Sequence, residues 1–121
     1  MTRRGERGSV TILTVGALAV TLICTMGVAD IGRVLIERSR AELAADAAAL
    51  AAAQDLALSD GEPAADAAAF ASRNGAVLVS CSCARGSLDA VVEVDRSFEG
   101  LLLVPGTLHV HAAARAVVDM P

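Results

Sequence analysis

From Ser9 to Ala29 the chain runs 21 residues without a charge or a proline, between Arg3, Arg4 and Arg7 on one side and Asp30 on the other. As a helix this run is about 31 Å long, enough to cross a hydrocarbon core of roughly 30 Å. It is therefore expected to be a transmembrane helix. Thr11, Thr14, Thr21 and Thr25 interrupt the aliphatic residues, but their hydroxyls can return to carbonyls one turn back, which makes them tolerable in lipid. Gly16, Ala17, Ala19 and Gly27 leave small surfaces where another helix can approach.

No helix breaker separates this run from the alanine-rich stretch after it, so one rod is expected to continue to about Leu58. Alanine is the best helix former, and it fills most of Ala44–Ala53. Ile36, Leu43 and Leu50 recur every seven residues, with Ala47 between them, and form the expected helix-packing stripe; Arg40 and Gln54 mark where it weakens. Arg38 and Glu42 stand at the spacing of a helical ion pair worth only a few tenths of a kcal/mol. An alanine flank lets a partner backbone come close but buries little area per residue. The expectation is a surface for lengthwise packing on other helices more than an independent core.

Beyond residue 58 the period changes. Ser59-Asp60-Gly61 stops the helix, Pro63 suits the first turn of a second helix over Pro63–Arg73, and Asn74-Gly75 ends it with a left-handed residue. Val77, Val79, Cys81 and Cys83 then alternate with Leu78, Ser80 and Ser82. Leu88, Ala90, Val92, Val94 and Phe98 alternate with Asp89, Glu93, Asp95 and Ser97, and Leu108, Val110, Ala112, Ala114, Ala116 and Val118 with His109, His111 and Arg115. Period two predicts three half-buried strands. The fold class is α+β: a long N-terminal helix, a short second helix and a small three-stranded antiparallel sheet, pilin-like in outline. The divisions are a basic leader over 1–8, the span over 9–29, the Ala-rich protruding helix over 30–58 and a small extracytoplasmic domain over 59–121. Leu101-Leu102-Leu103-Val104 cannot alternate, so it either folds back over the sheet or forms a docking patch for a partner or the membrane surface.

The chain is poor in chemistry. A net charge of −4 gives no electrostatic footprint for nucleic acid. Aromatic residues are 2%, with no Trp and no Tyr, so the extramembrane part buries little area alone and is expected to lean on the membrane or a partner. His109 and His111 share a strand face but lack a third ligand nearby, and Asp89, Glu93 and Asp95 read as a solvated row. Ser80 and Ser82 have no nucleophile-elbow context, and no phosphate-cradling glycine loop exists. Cys24 reads as an apolar filler, and Cys81 and Cys83 first as buried thiols, a bridge between such close neighbours being strained. The expectation is a non-enzyme with no catalytic residue, cofactor, metal or small-molecule substrate.

Three blocks carry a resemblance: Arg7-Gly8-Ser9 opening onto the span, Arg40-Ala41-Glu42-Leu43-Ala44-Ala45-Asp46-Ala47-Ala48-Ala49-Leu50-Ala51-Ala52-Ala53, and Gly106-x-x-x-Val110-x-Ala112-x-Ala114-x-Ala116. The chain resembles the TadE/TadG-like pseudopilins of tight-adherence (Tad/Flp) pilus systems, most closely their short forms from high-GC Gram-positive bacteria. The resemblance implies a prepilin-type cut after Gly8, leaving Ser9 as the new terminus. It also implies other pilin-like or Tad secretion subunits as partners. Processed members usually carry a glutamate five residues into the mature chain, where this one has Leu13. A membrane-anchored minor component or assembly factor therefore stands beside a filament subunit.

Orientation is only weakly set by charge. Arg3, Arg4 and Arg7 before the span are balanced by Arg33, Arg38 and Arg40 after it, and acidic neighbours count little. The usual arrangement of a signal-anchor gives a cytoplasmic N-terminus and an extracytoplasmic head on a single-pass membrane protein. The competing reading is an exported binding module cut near Ala29, with Gly27 and Ala29 as the small residues before the cleavage point. Its difficulty is an apolar stretch longer than the usual 7–15 residues of a signal peptide.

Overall fold

A computed structural model describes residues 6–119, so most of the expected basic leader, with Arg3 and Arg4, lies outside the described residues. Its dominant element is one unbroken helix, α1, Glu6–Leu58. At 1.5 Å per residue these 53 residues make a rod about 80 Å long. A second helix, α2, covers Pro63–Arg73. Three strands complete the chain: β1, Val77–Ser82; β2, Asp89–Phe98; and β3, Leu108–Val117. They form an antiparallel meander in the order β1-β2-β3. The far half of α1 lies across β2 and β3, and α2 packs beside it against β1. This is the expected α+β fold.

The breakers act where their chemistry requires. Pro63 sits in the first turn of α2, where a missing N–H costs nothing. At the other end the Ala76 amide donates to the Ala71 carbonyl and the Gly75 amide to that of Ser72, both at 3.0 Å. Gly75 has φ 73°, the left-handed conformation this closure needs.

The core is built from small side chains. Ala41, Ala44, Ala45, Ala48 and Ala52 of α1, Ala67 and Ala71 of α2, and Ala90, Val92, Val94 and Ala112 of the sheet form one buried cluster. Val92 and Val94 are its largest fully buried side chains. This corrects the expectation for the alanine flank. It is covered by the chain's own sheet and second helix, because methyl side chains let a helix settle closely onto β-branched residues. Each buried methyl contributes only about 0.8 kcal/mol, so the core is shallow and polar ties across it carry weight.

The strands keep the expected phase in β2 and β3, where Ala90, Val92, Val94, Phe98 and Ala112 point inward. In β1 the phase breaks. Leu78 pairs with Val94 and Ser80 with Glu93, so the register shifts at Val79. The extra residue turns the strand over: Leu78 and Cys81 pack on the core, while Val77 and Val79 are exposed. The strict alternation read from the sequence placed all of Val77, Val79, Cys81 and Cys83 on one face.

Candidate functional site

The packing of the chain changes at Asp30. Before it, from Gly8 onward, α1 touches almost nothing: Val10, Ile12, Leu13, Val15, Leu18, Val20, Leu22 and Ile23 are all exposed. This helix is long and apolar enough to cross a membrane, with a mean hydropathy of 2.2 in its most apolar window and none of that window buried. The hydroxyls of Thr14, Thr21 and Thr25 donate to the carbonyls of Val10, Ala17 and Thr21 at 2.8–2.9 Å, as lipid-tolerated threonines do. Gly8 and Ser9 lie in the first turns of this segment and are exposed.

At Asp30 the helix meets the loop between β2 and β3. The Asp30 carboxylate accepts hydrogen bonds from the amides of Leu102 and Leu103 at 2.7 and 2.8 Å. Asp30 is buried by this contact. The Leu101–Val104 segment therefore docks beside the last turns of the apolar run, with the Leu103 side chain close to Gly27. It does not fold back over the sheet, which was one of its two expected placements. Its side chains stay largely open, Leu102 being 61% exposed.

Two turns further, Glu37 is only 4% exposed. Its Oε2 receives the Arg96 Nε at 2.6 Å, and its Oε1 receives the Arg40 guanidinium at 3.0 Å. Arg96 also donates to the carbonyls of Gly75 and Asn74, at 2.7 and 3.2 Å. One guanidinium thus ties α1, β2 and the end of α2 together. The Arg96 hydrogen bond holds the Glu37 carboxyl below its ordinary range against the opposing effect of burial, and the charges of Arg96, Arg40 and Arg33 add to it. Sequence reading missed this tie. The signal was present: Arg96 occupies an inward position between Val94 and Phe98, and Glu37 shares a helical face with Asp30, Ala41, Ala44 and Ala48.

The opposite face of α1 carries the expected stripe. Ile36, Leu43 and Leu50 are 54%, 63% and 58% exposed, and Ala47 is half-buried at the border with the core. They form an apolar ridge pointing away from the head. Arg38 and Glu42 pair beside it at 3.2 Å, as their spacing predicts.

At the far end of the rod Asp55 faces Asp66 of α2. The hydrogen bond between the two carboxyls raises the Asp55 pKa, and desolvation and the charges of Asp66 and Asp60 push the same way, against the pull of Arg85. The Asp55 Oδ2 is buried beside Gly61 with no hydrogen-bond partner.

The outer face of the sheet is a partnered polar surface. Asp95 pairs with His109 at 2.8 Å and Asp89 with Arg115 at 2.9 Å. Among the described residues no three His, Cys, Asp or Glu side chains are grouped to hold a metal ion. Cys81 and Cys83 form a disulfide, contrary to the leading expectation of free thiols. The reason is local: β1 ends at Ser82, and the chain turns enough to bring the two Cα atoms to 5.4 Å, inside the usual bridging range. Cys24 remains a free thiol in the apolar half.

Residues 8–55 match the family model described as "Putative Flp pilus-assembly TadE/G-like". The match covers nearly all of α1 and stops before the head. No curated protein and no solved structure matches the chain.

Proposed function

Since the long helix of this chain matches the family model of putative Flp pilus-assembly TadE/G-like proteins, we propose that the protein is a non-enzymatic, membrane-anchored pseudopilin or assembly component of a Tad/Flp pilus or related secretion system. The supporting observation is the division of labour along α1. Its first half is a bare apolar rod, and its second half buries one face in its own head while leaving Ile36, Leu43 and Leu50 open on the other. A rod of this kind is suited to stand in a bilayer and pack sideways on its like. On this reading residues 9–29 span the membrane, the leader is cytoplasmic and the head, with its Cys81–Cys83 disulfide, lies outside, where disulfides persist.

Partners are other pilin-like or Tad secretion subunits, reached through the ridge of Ile36, Leu43, Ala47 and Leu50. Leu13 bears on the form of assembly. A glutamate at that depth could pair with a neighbouring subunit's terminus, and leucine offers only packing. This favours a minor or accessory place in the assembly.

Mass spectrometry and terminal sequencing of the native chain extracted from membranes test this. A start at Ser9 supports prepilin-type processing, and an uncut chain retained in the membrane supports a permanently anchored component. A start at Asp30, with the head recovered free of lipid, refutes the proposal in favour of an exported module. A photo-crosslinker at Leu43 should capture a pilin-like subunit in membranes, and one on the buried side at Ala48 should not.

A further inference from the structure

The Leu101–Val104 loop is held where α1 stops being apolar. Asp30 is the first charged residue after the span, and its carboxylate is committed to the Leu102 and Leu103 amides. From Ala29 to Leu35 the helix rises about 9 Å, the depth of a headgroup and acyl-chain boundary. Over that height Ile31 and Leu35 of the helix and Leu102, Leu103 and Val104 of the loop are all exposed. Ile31, Leu35, Leu103 and Val104 form one apolar surface with a shallow groove between helix and loop, and Leu102 lines a second groove beside Ala29, Gly32 and Ile36. The surface is continuous with the bare face of the apolar run below it. The Arg33 guanidinium lies beside Gly100 on the same level, as an arginine at a lipid–water interface does. The acid lining the two grooves is Asp30, already buried under the loop amides, while the exposed Glu99 at the start of the loop accepts from the Thr107 hydroxyl.

We infer that the 101–104 loop is a membrane-seating element: it inserts Leu102, Leu103 and Val104 into the outer boundary of the bilayer beside the span. It sets the depth of the head and restrains its tilt. The occupant is lipid, because the surface begins where the lipid-facing segment ends and faces the same way. The inference rests on the reading of residues 9–29 as a bilayer span.

The absence of Trp and Tyr from the chain makes a direct test possible, since any introduced tryptophan reports alone. The full chain is reconstituted into phosphatidylcholine–phosphatidylglycerol vesicles carrying lipids brominated either near the headgroup or deep in the acyl chain. Four single variants are compared: Leu102→Trp and Val104→Trp in the loop, Leu18→Trp in the span, and Val117→Trp at the far end of the sheet. The loop variants should emit at shorter wavelength than Val117→Trp and lose at least half their emission to the shallow bromines, with less loss to the deep ones. Leu18→Trp should show the reverse order, and Val117→Trp neither. Loop tryptophans as solvated and unquenched as Val117→Trp, with Leu18→Trp still quenched, would overturn the inference while leaving the anchor intact. An unquenched Leu18→Trp would overturn both. Loop emission that is shielded but insensitive to bromine, and that varies with protein-to-lipid ratio, would overturn it in favour of a second copy of the chain.

Discussion

Replacing Glu37 with glutamine should loosen the head more than any other single change of charge. Glu37 and Arg96 have side-chain exposures of 5% and 18%, and their 2.6 Å contact is the tie joining α1, β2 and α2. Breaking a buried pair from one side costs about 3–5 kcal/mol, and a charge-assisted hydrogen bond is worth about 1.5–3. Glutamine keeps an acceptor oxygen and Arg96 keeps two carbonyl partners, so the expected loss is about 2–3 kcal/mol. Urea titration of the full chain in mild detergent, followed by far-UV ellipticity, should show the midpoint falling by about 1–2 M. The pH dependence has a fixed sign. The folded-state pKa of Glu37 is depressed, so its contribution is fully present above the ordinary value of 4.5 and is lost as pH falls through the lowered one. The difference between wild type and Glu37→Gln should therefore be constant near neutrality and shrink in acid. Glu42→Gln, which breaks only the exposed Arg38 pair, is the control, with an expected loss under about 0.5 kcal/mol. If Glu37→Gln behaves like that control, the pair is screened by solvent and the argument that it locks the head is wrong.

Three further outcomes are expected. Ala48→Leu should cost about 1–3 kcal/mol by overpacking a fully buried site, whereas Leu43→Ala on the outer ridge should change monomer stability by less than about 0.5 kcal/mol, both read by the same titration. Asp55→Asn should raise the melting temperature at neutral pH. The folded pKa of Asp55 is raised, so the wild type gains stability as pH falls through that value and loses it as pH rises, and the variant should flatten this slope. Thiol titration of the denatured chain should count one free cysteine before reduction and three after, since Cys81 and Cys83 are bridged and Cys24 is not.

Much of this protein was readable locally. The uncharged run up to Ala29 and the unbroken alanine-rich continuation forecast one helix to Leu58, because helix propensity and the absence of breakers act within a few residues. Pro63 and Asn74-Gly75 bounded α2 for the same reason. Alternation in the second and third strands named the inward residues, since the period of a strand is fixed by its pleat. The first strand escaped because a bulge at Val79 reverses that phase, and nothing in Val-Leu-Val-Ser-Cys-Ser marks where an extra residue will be absorbed. The closure of Cys81 onto Cys83 also depended on where the strand stopped.

The sequence alone determined the elements, their order and the lipid-suited character of the first half of the rod, all consequences of composition and period over short windows. Only tertiary structure decided which side of α1 is core. Leucine spacing drew attention to Ile36, Leu43 and Leu50, yet the alanine face is the one covered, because a sheet carrying Val92 and Val94 can settle closely only on methyl groups. Tertiary structure likewise decided that Glu37 meets Arg96 across 59 residues and that Asp30 receives a loop from 72 residues away. Such partners are fixed by how the layers stack and by the need of a buried charge for an opposite charge or a donor, and no local pattern records that.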